Sequence, residues 1–298
     1  MTIKYIVLSG GGAGGLCTYG VLKQLLKVKY INLENINGMY ATSIGCVVAL
    51  FCMLKIDEVI LYDYLIKRPW DKIFDIHPAM YEIINNKGLL DYTVFQKIIN
   101  PLITVKNLDE NITLKELYEY TKIDYHLYTT NINNQKPMSV DLSHKTHPDL
   151  EVYKAIAMSA AIPVAFKPIF YNNGCYIDGG LLNNLPINSC IEDSKCNLDE
   201  LLVISSLTPI NTINIQNDTP FHYYMYYLFN SMFNMIAYEQ RGSQVKHKVD
   251  CFSDICDMSN WLKPLTYQNY RIDMVDHGVK CAINYLNNMD KIDDMDNK

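Results

Sequence analysis

Three short clusters hold residue types that could do chemistry. In Met39-Tyr-Ala-Thr-Ser-Ile-Gly-Cys-Val-Val-Ala-Leu50, Ser43 stands between an apolar approach and an apolar run, fenced by Ala41 and Gly45. Small residues on both sides of a serine mark a sharp strand-to-helix turn that exposes the hydroxyl and aims the next helix N-terminus at it. Thr42 or Ser43 could equally be a plain N-cap. In Tyr176-Ile177-Asp178-Gly179-Gly180 an acid ends a strand and two glycines follow. It either points into a site at the carboxyl edge of a sheet or makes an ordinary Asp-Gly turn. The third cluster is Gly10-Gly11-Gly12-Ala13-Gly14-Gly15. Successive glycines let backbone N–H groups turn toward an anion or a developing oxyanion at a helix start. The same run fits G-x-G-x-x-G, with Glu34 about 20 residues on, where dinucleotide folds place a ribose-binding acid. It also fits a tight turn that merely packs helix on strand.

The elements that must position these clusters follow from periodicity. Residues 3–8, IKYIVL, predict a buried strand, and Val21, Leu22, Leu25 and Leu26 behind the glycines recur at helical spacing. A second strand around 36–40 leads into Ser43, and IGCVVALFCMLK follows as a helix apolar nearly all round. Two strand–turn–helix units in succession predict a parallel sheet covered by helices. Residues 57–122 read as helices and loops punctuated by Pro69, Pro78 and Pro101, with Thr113 and Glu116 as a capping box. Strands are expected at 125–132 and 136–142 with Asn133-Asn134 between them, at 175–178 and at 201–207. A short helix is expected at 151–159, with Pro163 and Pro168 breaking the segment after it. The aromatic and methionine-rich stretch 219–238 predicts core, or contact with an acyl chain or lipid surface through residues such as Tyr226 and Phe229. The last eleven residues, 288–298, are polar and predict a frayed tail.

Bulk properties set the class. The 298 residues are 49% hydrophobic and 19% charged, enough for a sizeable core. A formal net charge of −6 argues against a chain-wide nucleic-acid surface. Nine cysteines, an odd number in no paired framework, fit free thiols in a reducing compartment. Cys251 and Cys256 lack a second close Cys/His pair, so a zinc site fits poorly. The longest apolar run, Ile44 to Leu54, is well short of the roughly 20 residues a bilayer span needs. The N-terminus lacks a signal-peptide pattern. The expectation is a soluble, cytoplasmic protein.

In order, a glycine-rich turn, a serine elbow about 30 residues later and a downstream D-G-G are together more specific than their parts. SGGGAGGLCTYGVLKQL, AIAMSAAIPVAFKPI (155–169) and YIDGGLLNNLPI (176–187) resemble the opening and the acid-bearing segment of the patatin-like phospholipase family. The similarity covers about 1–55 and 125–190. It implies a three-layer α/β/α fold with a mainly parallel central sheet, with 1–287 as one catalytic domain and 288–298 as a tail. It implies Ser43 as nucleophile and Asp178 as general base, a dyad without histidine. Backbone N–H groups near Gly11, Gly12 and Ala13 would form the oxyanion hole. Gly10, Gly14, Gly15, Gly45, Gly179 and Gly180 are the remaining motif glycines. The implied reaction is phospholipase A-type or lysophospholipase hydrolysis of fatty acyl esters through an acyl-serine, with no cofactor or metal. The chain departs from the family at Ala41, where glycine is expected, and at Gly14, where Arg or Lys is usual and bears on headgroup preference.

Other readings stay open at this point. An acyltransferase would pass the same acyl-serine to an alcohol, and a non-catalytic lipid-binding protein would keep the fold without turnover. An oxidoreductase would place Glu34 on ribose. A Ser–Asp–His triad could recruit one of His77, His126, His144, His147, His222, His247 and His277. The expected partner is a phospholipid or other acyl-ester lipid, met by peripheral membrane contact. No nucleic acid is expected, and the need for an activating protein stays open.

Overall fold

The computed structural model describes residues 2–74, 86–207, 215–221, 223–225, 227–228, 231–232, 245–252 and 258–296. The strands are β1 (Tyr5–Leu8), β2 (Gly38–Thr42), β3 (Gly88–Leu90), β4 (Asp124–Asn131), β5 (Met138–Leu142), β6 (Val164–Phe166), β7 (Ile169–Tyr171), β8 (Gly174–Asp178), β9 (Leu201–Leu207) and β10 (His247–Phe252). The helices are α1 (Gly15–Lys27), α2 (Ile44–Met53), α3 (Glu58–Lys67), α4 (Trp70–Phe74), α5 (Thr93–Val105), α6 (Leu114–Thr121), α7 (Val152–Ser159), α8 (Gly180–Asn183), α9 (Ile187–Ser194), α10 (Met258–Thr266) and α11 (Gln268–Asp296).

The central sheet has the order β10–β9–β1–β2–β4–β8–β7, with β5 also pairing with β4. From β10 to β4 the neighbours are parallel; β8 and β5 run antiparallel to β4, and β7 antiparallel to β8. Successive side chains on a strand face opposite ways. Ile6, Leu8, Leu202 and Ile204 therefore enter the larger core with residues of α1, α2, α7 and α11. Val7, Tyr40, Leu201 and Val203 enter a smaller one with Ile187 and Cys190 of α9. Helices cover both faces, which makes the expected three layers around a mainly parallel sheet. The capping box also forms: Thr113 Oγ1 accepts from Glu116 N–H at 3.2 Å, and the Glu116 carboxylate accepts from Thr113 N–H at 2.9 Å.

The structure departs from the sequence expectation at several elements. β3, β6 and β7 are three residues each, too short to show alternation, and β10 escapes the pattern because polar His247 holds one of its inward positions. Pro101 does not interrupt the chain; it lies inside α5. A proline there leaves the carbonyl four residues back without its helical donor. Arg68 supplies one, its Nη2 donating to Lys97 O at 2.6 Å. α11 continues past 288 and runs through to Asp296. Pro78 lies outside the described residues. Among the described residues no helix is long and apolar enough to cross a membrane.

Candidate active site

Strand register brings the clusters together. Leu8 is level with Ala41, Ala41 with Leu127, Thr42 with Tyr128, and Thr129 with Asp178. The glycine run after β1, the serine after β2 and the acid ending β8 therefore share one edge of the sheet. Because β8 is antiparallel, it enters from beyond that edge and stops beside the serine.

Ser43 occupies the N-cap position of α2 at φ 55° and ψ −127°, with no side-chain capping bond. A non-glycine residue held at positive φ costs on the order of 1–3 kcal/mol, and such strain clusters at functional sites. The hydroxyl turns away from the helix and donates to Asp178 Oδ2 at 2.6 Å. Capping therefore does not explain this serine. Two further bonds hold the turn: Ser43 N–H donates to Ser159 Oγ at 2.9 Å, and Ser159 Oγ donates to Tyr128 O at 2.6 Å. Gly45 is needed because α2 crosses the end of β1 closely; a Cβ there would lie 2.7 Å from Ser9 O. Ala41 sits within β2 and outside the positive-φ region, so the absent glycine carries no backbone strain.

Asp178 is 3% exposed. Its Oδ1 accepts from Gly180 N–H at 2.7 Å, and its own N–H donates to Ala161 O at 2.9 Å. Desolvation raises its pKa to about 6, against the opposing pull of the bonds from Ser43 and Gly180. At neutral pH the group is ionised, yet it is a stronger base than a free carboxylate.

The glycine run turns at Gly12, where φ is 51°, and passes through a short 3-10 turn, Gly12–Gly14, into α1. Gly10 N–H donates to Asn184 O at 3.2 Å, and Gly14 N–H to Gly11 O at 2.9 Å. Gly12 and Ala13 line the same cavity as Ser43, with Gly15 and Leu16 behind them. This cavity, about 150 Å³, is walled almost wholly by carbon, from α1, α2, α4, α5 and α10. Among the described residues its one charged lining residue is Arg271, which is 4% exposed. The guanidinium donates to Ile66 O at 2.9 and 2.6 Å and to Pro264 O at 2.7 Å, tying the end of α3 to α10.

Other sequence candidates lie elsewhere. Glu34 precedes β2, at the opposite edge of the sheet, and pairs with Lys55 at 2.6 Å. A ribose-binding acid belongs at the carboxyl edge, so Glu34 is not one. His126 stacks on Tyr40 with its Nδ1 2.9 Å from Asp141, and His144 stacks on Tyr118. His147 meets Thr146 at 2.9 Å, His247 meets Tyr30 at 2.8 Å, and His277 meets Phe252 O at 2.6 Å. Among the described residues, the Asp178 carboxylate bonds Ser43 and Gly180. His77 and His222 lie outside those residues, as do Cys256, Tyr226 and Phe229. The described residues Phe221, Tyr224, Leu228 and Met232 are exposed, and none lines the cavity. No cluster that could hold a metal occurs among the described residues. Sequence reasoning missed Ser159, Arg271 and the cavity walls. Ser159 sits in an ordinary small-residue run, and contacts between distant helices leave no local spacing signal.

Comparison with known proteins adds family evidence to this geometry. Residues 6–191 match the sequence profile of a family described as patatin-like phospholipase. A protein named probable lipid hydrolase 463L, of Invertebrate iridescent virus 6, is 30% identical over 212 residues, which is 68% of this chain and 70% of that protein. Uncharacterized protein R571 of Acanthamoeba polyphaga mimivirus is 28% identical over 199 residues, 64% of this chain and 62% of its own length. Among solved structures, VipD from Legionella pneumophila aligns over 97% of this chain and 67% of its own, with a TM-score of 0.57 and 15% identity. The type III effector protein ExoU aligns over 97% of this chain and 53% of its own, with a TM-score of 0.50 and 10% identity. The two structural likenesses speak to the fold.

Proposed function

The chain belongs to the patatin-like phospholipase family, and we propose that it is a lipid acyl hydrolase of phospholipase A or lysophospholipase type, with Ser43 as nucleophile and Asp178 as its base. The observation that carries this is the 2.6 Å bond from Ser43 Oγ to Asp178 Oδ2, made from a positive-φ turn at the mouth of an apolar cavity.

A serine hydroxyl attacks poorly unless a base takes its proton in the same step. Asp178 is within the reach that transfer needs. As Oγ bonds to the ester carbonyl carbon, the proton passes to Asp178 and negative charge collects on the carbonyl oxygen. The amides of Gly11, Gly12 and Ala13 are the donors assigned to that oxygen; one such donor is typically worth roughly 3–4 kcal/mol. The ester C–O bond then breaks, and Asp178 returns its proton to the departing alcohol or lysophospholipid. Water attacks the acyl-serine with Asp178 again taking the proton. The fatty acid leaves, and Ser43 regains its hydrogen. Free thiols suit a reducing compartment, and we place the enzyme in the cytoplasm, meeting membranes peripherally.

The test is hydrolysis of p-nitrophenyl butyrate and of phosphatidylcholine vesicles by wild type, Ser43→Ala and Asp178→Asn. Each substitution is expected to lower kcat/KM by at least about a thousandfold with the fold intact. Undiminished turnover in folded Ser43→Ala rules the assignment out. New ester formed from an added acceptor alcohol, at the expense of free fatty acid, would mark transfer instead of hydrolysis.

A further inference from the structure

We infer that the apolar cavity at Ser43 is a chain-length gauge for medium-chain acyl groups, with Phe51 and Tyr19 as its stop. This rests on Ser43 being the attacking group. Four cavity residues, Ile44, Val47, Val48 and Phe51, belong to α2 and fall at i, i+3, i+4 and i+7. That spacing makes one stripe along one helix face. The stripe begins next to the nucleophile and leads away from it. α1 also starts at the site and supplies Gly15, Leu16 and Tyr19 to the same wall. The channel therefore runs along two helices whose N-termini flank Ser43.

Its length follows from the helix. Phe51 is eight residues beyond Ser43, a distance of about 12 Å at about 1.5 Å per residue. An extended acyl chain advances about 1.3 Å per carbon for C–C bonds of about 1.5 Å, so about eight to ten carbons fill the space.

Tyr19 and Phe51 are the lining residues farthest along α1 and α2 from Ser43. Tyr19 is 5% exposed and Phe51 3%. Burial pushes the Tyr19 hydroxyl up in pKa, and Glu58, Cys52 and Tyr62 act on it in the same direction, with Cys52 next to Phe51 in α2. Trp70, Phe95 and Phe166 line the sides. Arg271 gives its guanidinium to backbone carbonyls of residues 66, 68 and 264. The Tyr19 hydroxyl makes no hydrogen bond among the described residues, while the cavity lining is almost wholly carbon, which suits an acyl chain.

A chain too short leaves apolar wall uncovered, and one too long meets the rings. Each methylene that fits should raise kcat/KM by up to about fourfold. The experiment is a p-nitrophenyl ester series with acyl chains of 4, 6, 8, 10, 12 and 16 carbons, kept below micelle-forming concentrations. The proteins are wild type, Phe51→Ala, Phe51→Leu, Val48→Phe and Ser43→Ala. Wild-type kcat/KM is expected to peak at 8 to 10 carbons. Phe51→Ala should raise the C12-to-C8 ratio by at least about tenfold, and Phe51→Leu should move it the same way by less. Val48→Phe, which fills the channel one turn nearer Ser43, should move the peak to 4 to 6 carbons, so the gauge stays testable even if Phe51→Ala fails to fold. A flat wild-type profile, a rise that continues to 16 carbons, or a peak unmoved by every folded variant overturns the gauge and leaves the catalytic assignment standing. Turnover that survives Ser43→Ala, or no turnover of any ester by wild type, overturns the assignment and the gauge together.

Discussion

Among the described residues, two buried serines are hydrogen-bonded to aspartates at the same sheet, and they are not alike. Ser205 lies within β9, directly across from Asp250 on β10, and its hydroxyl donates to that carboxylate. The backbone there is regular strand. The Asp250 side chain is 36% exposed and has Lys248 Nζ at 3.4 Å. Ser43 instead sits on a turn at φ 55°, and its partner Asp178 is buried with no ion-pair partner among the described residues. One pair opens on a cavity; the other is a rung between strands. Residue types alone do not separate them. What separates them is a positive-φ turn that presents the hydroxyl, desolvation that raises the carboxylate's pKa, and an adjacent apolar cavity.

Exchange of the serines gives the largest contrast. Ser43→Ala should cut ester kcat/KM by at least about a thousandfold, whereas Ser205→Ala should stay within about threefold. Equal losses would dissolve the distinction between the pairs.

Desolvation of Asp178 predicts the next effect, and its sign is unusual for a substitution at a buried hydrogen-bonded group. The folded pKa is raised from 3.8 to about 6. The folded state therefore binds this proton more tightly than the unfolded state, and the stability it brings is present below pH 3.8 and lost as pH rises through about 6. Above that window the buried charge costs about 3 kcal/mol. Asp178→Asn keeps the shape without the charge, so urea unfolding at pH 8 should show it more stable than wild type by up to that amount. The gap should close by pH 4. Asp250→Asn, at the strand rung, should show no such gain. Under the proposed mechanism the same proton governs turnover, so wild-type kcat/KM should fall about tenfold per pH unit below about pH 6.

Ser159 should give the smallest effect. Ser159→Ala leaves Ser43 N–H and Tyr128 O without this partner, a cost of about 1–3 kcal/mol. The side chain positions the turn and does not touch the reacting atoms. Steady-state kinetics should therefore show kcat reduced by about tenfold with KM little changed, and a KM effect alone would remove Ser159 from this role.

The parts of the site legible in the sequence are those fixed by neighbours along the chain. Ser43 between Ala41 and Gly45, Asp178 before two glycines, and the Gly10–Gly15 run each announce a local backbone demand. Their order predicted the fold because two strand–turn–helix units constrain a parallel sheet. The antiparallel entry of β8 was not legible, because it depends on which strand Asp178 pairs beside. Ser159, Arg271 and the channel walls were hidden for the same reason: their contacts cross 116 residues from Ser159 to Ser43 and 205 from Arg271 to Ile66. Pro101 misled because the donor that rescues its helix, Arg68, comes from outside it.

The most direct measurement is labelling of the intact protein with a fluorophosphonate, followed by peptide mass spectrometry. The reagent bonds covalently to a serine whose hydroxyl is activated by a base. The account predicts one label per chain, on Ser43, formed more slowly below about pH 6 and absent from Ser43→Ala and Asp178→Asn. A label on Ser205 or any other serine, or no label on the folded wild type, would contradict it.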